Sequence, residues 1–352
     1  MATHFQVSDL TTDDYTLSRK SCVKLGTSGE IKFQTPLKVG LGNVTDVPFY
    51  EAYKRVKPET IINCLKSENK DREHGRNLRQ RCRGNFNILT LEYDSKKFVP
   101  TDRMIVALSD MQYNNTDAIT TPSWFDLITT KNSVNVKLYI ELSKIFVEVA
   151  STRNHKPILG TIPQSIPPEK LDSVLKFYID HDVTSFVVDS HGRTLISGSW
   201  IRALQRLLSE YDIEKESIMY TMNAFQGMVR KNETTIEAKD FIGFTAGFDV
   251  IGGKHTSKHF EKSDEETTNT VGRIFHRSTY NYEKKICTKE EKRFIDECSI
   301  REQNSEFDII RQSISEGTMK NLLSSKNIAQ ETLNTIFSFK NKNHSMKIDD
   351  FI

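Results

Sequence analysis

From residue 37 onward, short apolar runs alternate with longer stretches that are apolar on one side only. Runs of strand length fall at 37–40, 60–64, 104–108, 117–120, 157–161, 185–188, 217–221 and 241–250. Between them, SVNVKLYIELSKIFVEVA (134–151), PEKLDSVLKFYIDH (168–181) and GSWIRALQRLLSEYD (198–212) repeat apolar residues every three or four positions. That spacing predicts helices with one buried face. Pro167 and Pro168 stand where the second helix begins, a position that tolerates proline. Residues 1–36 read as short β segments joined by polar turns, and helical periodicity returns at 305–340.

Strand–helix alternation of this kind predicts parallel strands with crossover helices. Eight strands in this length suit an α/β fold of the (β/α)8 TIM-barrel type, whose usual length is about 250 residues. A doubly wound open sheet is the alternative, but no glycine-rich dinucleotide fingerprint follows the first strand. The expected organisation is a single barrel domain over 1–340 with an N-terminal β segment (1–36). Polar insertions fall near 66–100 and 258–300, and a polar tail follows at 341–352. No internal repeat and no appended RNA-binding domain is evident.

Charge narrows the class little. With 49 basic and 47 acidic side chains, any polyanion must be held by a local patch rather than by the whole surface. KDREHGRNLRQRCR (70–83), with Arg76, Arg79, Arg81 and Arg83, is one candidate patch. RIFHRSTYNYEKK (273–285) is a second, because Arg273 and Arg277 interleave with Tyr280 and Tyr282 as in single-strand binders. Five widely spread cysteines fit reduced thiols better than a disulfide framework. With no signal-type leader and no apolar run of about 18 residues, a soluble cytoplasmic protein without membrane contact is expected.

In a barrel, chemistry belongs at the C-terminal ends of strands. Reading the ends gives Asp110, Asp117, Gln164, Asp189, Asn223 and Asp249. Asp249 stands out, since it closes an apolar run and precedes Gly252, Gly253, Lys254 and His255. An acid pulled out of water at such a place needs compensating hydrogen bonds or charge, and enzymes put shifted carboxylates there. A strand end capped by its own aspartate is the plain alternative.

Several of these pieces, in this order, resemble the tRNA-guanine transglycosylases, a (β/α)8 family whose relatives act on tRNA or DNA. GEIKFQTPLKVG is similar to the segment leading into that family's first strand, MIVALSDMQ to its aspartate-and-glutamine turn, and DAITTPSW to its aspartate-plus-Thr-Pro strand end. ILGTIPQS resembles its strand ending in a base-binding glutamine, GFDVIGG its Phe-Asp motif, and EFDIIRQSISEG its late helix. The resemblance implies exchange of guanine for a free 7-deazaguanine base in tRNA or DNA, through an aspartyl-glycosyl intermediate. It implies Asp249 as nucleophile and Asp110 as general acid/base. Asp117, Gln164, Gln112, Ser190 and Gly192 would bind the base, and Lys254 and His255 would contact phosphate. It allows a homo- or hetero-dimer.

Base exchange of this kind needs two carboxylates in distinct environments around one oxocarbenium-like centre, so Asp110 and Asp249 must face one pocket. The family's zinc uses three close cysteines and a later histidine. Here Cys287 and Cys298 are eleven apart with His276 upstream, so no zinc and no other cofactor is expected. Two alternatives remain: a nucleic-acid-binding subunit that has lost catalysis, and an unrelated barrel enzyme on a small molecule. The latter is favoured if the 70–83 run lies far from the mouth.

Overall fold

In a computed structural model, the described residues are 5–12, 18–26, 29–130, 133–153, 156–196, 198–213, 216–227, 233–255 and 270–338. The expected tail at 341–352 lies outside them.

Eight strands form one parallel sheet: β4 (Leu37–Lys38), β5 (Tyr50–Val56), β6 (Asn87–Tyr93), β7 (Ala118–Thr120), β8 (Ile158–Pro163), β9 (Ser185–Asp189), β10 (Met219–Met222) and β12 (Val250–Ile251). Their spatial order is β4-β12-β10-β9-β8-β7-β6-β5. The sheet curls, and the segment just after β4 meets the start of β5. Gly40 bridges Tyr50 in parallel, with its N–H on the Phe49 carbonyl at 2.7 Å and its carbonyl on the Glu51 N–H at 3.0 Å. A side chain at Gly40 would collide with the Val44 carbonyl, so this edge contact requires glycine.

Strand alternation assigns the two faces. Leu37, Val39, Ile88, Ala118, Leu159, Val187, Tyr220 and Val250 pack together on the inner face. Leu89, Leu91, Ile119, Ile158, Phe186, Val188 and Ile251 face outward. Helices α1 (Pro58–Lys66), α2 (Glu68–Arg79), α3 (Asp102–Tyr113), α4 (Phe125–Ile128), α5 (Val136–Ser151), α6 (Leu171–Asp180) and α7 (Ser199–Glu210) flank the sheet. The long α8 (Lys289–Glu316), then α9 (Met319–Ser324) and α10 (Gln330–Ser338), follow it.

Two small antiparallel sheets complete the fold: β1 (Phe5–Thr12), β2 (Ser18–Gly26) and β3 (Gly29–Gln34), and then β11 (Thr235–Glu237), β13 (Thr270–His276) and β14 (Asn281–Cys287). The first seals the N-terminal end of the inner face. Phe5 and Phe33 join Phe49 and Phe86, with ring centroids 4.5 Å apart for Phe33–Phe49 and 4.8 Å for Phe49–Phe86.

Four expectations need correction. The runs at 60–64 and 104–108 lie in helices α1 and α3, where Ile61 and Cys64, and Met104, Ile105, Leu108 and Met111, form buried stripes of helical spacing. A short apolar run without flanking breakers does not separate strand from helix. The segment 66–100 is not a polar insertion, because it holds helix α2 and strand β6. The run at 241–250 is mostly a 3-10 helix, Phe241–Ala246, turned by Gly247 at φ 85° before the two-residue β12. The described part of the excursion expected at 258–300 carries β13 and β14, which lie outside the eight-stranded sheet, and the first turns of α8; 258–269 lie outside the described residues.

Candidate active site

At the C-terminal ends of the strands the inner face changes from apolar to ionisable. On β6, Ile88 belongs to the inner cluster, so Thr90 and Glu92 share its face. The same parity puts Asp189 above Val187 at the end of β9; Glu51, opposite the outward-facing Ala52, is also on the inner face but near the start of β5, beside the residues that follow β12. Glu51, Glu92 and Asp189 are each 3% exposed or less.

Asp189 accepts three hydrogen bonds: Ser123 Oγ at 2.9 Å on Oδ2, and Asn223 Nδ2 at 3.0 Å and the His191 N–H at 3.2 Å on Oδ1. Asn223 holds a left-handed backbone at φ 57°, and its Oδ1 accepts the His255 N–H at 2.8 Å. This joins Asp189 to a second cluster. Glu51 accepts from Tyr220 Oη and pairs with His255 Nε2, and it accepts the Gly253 N–H at 3.0 Å. The His255 ring lies flat on Tyr53, with centroids 4.6 Å apart. Burial pushes the Glu51 carboxyl up, but the His255 ring and the Tyr220 and Gly253 donors outweigh it and hold the group below its ordinary value. A Cβ on Gly252 would stand 2.3 Å from the Thr221 carbonyl and 2.5 Å from Glu51 Oε2. Gly252 of GFDVIGG therefore makes room for the Glu51 carboxylate, and Gly253 supplies an N–H to it.

Glu92 is in the opposite condition. One guanidinium, Arg55 Nη2, serves Glu92 at 3.1 Å, Asp94 at 3.2 Å and Asp126 at 2.8 Å. A single cation cannot balance these carboxylates with Asp189 nearby, so the most buried of the three keeps its proton. Desolvation first, then repulsion from Asp189, Asp126 and Asp94, raises Glu92 to about 8. Among the described residues, Glu92 Oε2, Thr90 Oγ1, Gln164 Oε1 and His191 Nδ1 are buried without a hydrogen-bond partner. Orphaned polar atoms at one strand end are where a substrate would supply the missing groups.

Two cavities meet at Lys254 and His255, after β12. One of about 680 Å³ is lined by Glu51, Tyr53, His74, Arg81, Arg83, Lys254 and His255, among others. The other, about 650 Å³, lies between β4, the β13–β14 hairpin and α8, and shares Lys254 and His255 with the first.

The residues expected from sequence divide sharply. Ser190 and Gly192 lie at the end of β9, where Gly192 donates to the Asn223 carbonyl at 2.7 Å. Gln164 follows β8, with Nε2 on the Thr194 carbonyl at 3.0 Å. Arg81, Arg83, Lys254 and His255 line the first cavity beside Glu51, and Arg273 lines the second; the lining of neither includes Glu92 or Asp189. Arg76 and Arg79 are exposed on α2 and line neither cavity. Arg277 is a structural residue, pairing with buried Glu306 at 3.1 Å beside Lys326 and Tyr280.

The proposed catalytic pair is not one. Asp110 lies on α3, its side chain 42% exposed and paired with Arg153. Asp249 is buried at the other end of the sheet, where it accepts from Thr35 Oγ1 at 3.2 Å and from the Met219 N–H at 2.8 Å and ties the start of β12 to the start of β10. The two carboxylates share no pocket, so a mechanism resting on them is overturned. Asp117 also sits at the N-terminal end, accepting from the Asn87 N–H at 2.8 Å and Nδ2 at 3.1 Å. Gln112 clamps helix to strand, donating to the Thr120 carbonyl at 2.6 Å and accepting the Thr120 N–H at 2.7 Å.

Sequence reading found Asp189 and Asn223 as strand ends and missed Glu51 and Glu92. Both stand on β5 and β6, strands whose mouth-facing positions are charged. The alternation in NILTLEY was the signal that could have found Glu92.

Among the described residues no three of His, Cys, Asp and Glu gather as a metal site, and no helix is long and apolar enough to cross a membrane. The sheet and its mouth define a mixed α/β protein with a curled parallel eight-stranded sheet and an ionisable C-terminal rim. Comparison with protein-family models and with curated proteins returned no match.

Proposed function

We propose that the chain is a base-exchange enzyme on nucleic acid, with its chemistry at the C-terminal rim and not on Asp110 and Asp249. The reaction class, guanine for a 7-deazaguanine in tRNA or DNA, comes from the sequence resemblance. The parallel strand order and the Gly40–Tyr50 bridge support reading the curled sheet as a (β/α)8 barrel.

One observation carries the site. Glu92 and Asp189 are buried acids linked through Ser123, whose N–H and carbonyl bond the backbone on either side of Glu92 and whose hydroxyl bonds Asp189. Their environments differ, one short of cations and the other filled with donors, which is how two carboxylates take separate roles. Asp189 would attack C1′ as the N-glycosidic bond breaks, forming an ester, while the Glu92 carboxyl gives its proton to the departing guanine. Glu92, now ionised, would take a proton from the incoming base, whose nitrogen then displaces Asp189 from C1′. Arg81, Arg83 and Lys254 would hold backbone phosphate at the rim.

The test is radiolabelled guanine exchange into bulk tRNA and into duplex DNA. Glu92→Gln and Asp189→Asn are each expected to lose exchange by about 100-fold or more, and Asp110→Asn to retain it. Exchange that survives Asp189→Asn, or none by the unaltered chain in either polymer, refutes the reading.

A further inference from the structure

The second cavity lies against β4, the β13–β14 hairpin and α8, and Lys38 lies at its floor. Leu37 and Val39 point into the inner cluster, so Lys38 between them points outward toward α8. Outward positions on the neighbouring strands are apolar. Lys38 is nevertheless 4% exposed, and its backbone is pinned on both sides by Asn304, N–H to Oδ1 and carbonyl to Nδ2, each at 3.0 Å. Its Nζ donates to the Gly252 carbonyl at 2.6 Å; burial pulls its pKa down, while the nearby Asp240 and Glu51 carboxylates favour the ammonium.

The rest of the lining adds charge of the same sign. Arg273 spends its guanidinium on the carbonyls of Gln226 and Gly227 and meets no carboxylate among the described residues. Lys289 and Lys292, from the first turns of α8, complete the wall. The two acids in the lining, Asp296 and Glu297, are engaged by Lys292 and Arg293. A space of about 650 Å³ with Lys38 at its floor and Arg273 and Lys289 in its wall carries more cations than acids in its lining.

We infer that this cavity binds a phosphomonoester, its terminal phosphate reaching Lys38 and Arg273. A phosphodiester within a continuous strand carries chain on both sides and cannot bring its oxygens to a group as buried as Lys38. A terminal phosphate can. The ligand is therefore a free mononucleotide-sized phosphomonoester or the phosphorylated end of a strand. The lining of this cavity includes neither Glu92 nor Asp189, and binding is read without turnover, so absence of base exchange would leave it standing.

Calorimetric titration of the whole chain with inorganic phosphate, guanosine 5′-monophosphate and guanosine tests it. Phosphate and the monophosphate are expected to bind and guanosine to give no heat. Because Lys38 is buried and its substitution endangers the fold, Arg273→Gln and the double variant Lys289→Gln/Lys292→Gln are the working probes. Each is expected to weaken binding at least about tenfold with the melting temperature retained, the loss of a charge-assisted contact. A 5′-phosphorylated oligonucleotide that displaces the monophosphate, where its 5′-hydroxyl twin does not, assigns the site to strand ends. If only the free monophosphate competes, the ligand is small. Equal displacement by both oligonucleotides, equal binding of guanosine, or undiminished affinity in the variants overturns the proposal.

Discussion

Glu92 sets the pH response of the mouth. Its folded value of about 8 stands above the ordinary 4.5, so between these values the folded chain holds a proton that the unfolded chain has released. Stability contributed by this group is whole below about 4.5 and falls as pH rises to about 8, by at most about 1.4 kcal/mol per pH unit. Glu51 works in the other direction. Its lowered value adds stability at neutral pH that is lost on acidification below its ordinary 4.5. Urea denaturation of the unaltered chain and of Glu92→Gln across this range separates the two. The gap between the curves is expected to narrow from alkaline toward acid pH on the Glu92 side, and parallel curves would show that Glu92 is ionised throughout.

At the scale of elements, the mouth owes its position to strands whose own residues obscure them. β7, β8 and β9 are apolar on both faces over most of their length, as crossover strands buried on both sides must be, and they stand out in the sequence. β5 reads YEAYKRV, with Glu51, Tyr53 and Arg55 on its inner face. The groups that make the site removed the periodic signal that would have revealed the strand. Helix α3 failed differently, since MIVAL is apolar without a break and only the Met104–Leu108–Met111 spacing shows its single buried side. Gln112 on this helix shows what its assignment as a base reader missed. Gln112→Leu orphans the Thr120 N–H and carbonyl together, and a loss of about 1–3 kcal/mol for each buried group is expected in chemical denaturation. An unchanged midpoint would mean that the clamp contributes nothing.

At the scale of the whole molecule, a nearly balanced charge hides a local bias. The chain's formal net charge is +2, yet Arg81, Arg83 and Lys254 gather on one cavity and Lys38, Arg273 and Lys289 on the next. The proposed attraction for phosphate would be confined to these two cavities instead of spread over the surface. The first bias was partly legible in the 70–83 run; the second was not, because Lys38 is far in sequence from Arg273 and Lys289 and meets them only when β4, β13 and α8 pack.

The aromatic seal of Phe5, Phe33, Phe49 and Phe86 has a kinetic meaning. With one end of the inner face filled by rings no more than 5% exposed, a base that enters at the rim must leave by the rim. The departing guanine and its replacement would use one opening, so the first has to clear it before the second comes in. For the proposed exchange this imposes a ping-pong order, with the sugar parked on the protein in between. Initial rates measured against both substrates should give parallel double-reciprocal lines. Converging lines would require that both bases occupy the mouth at once.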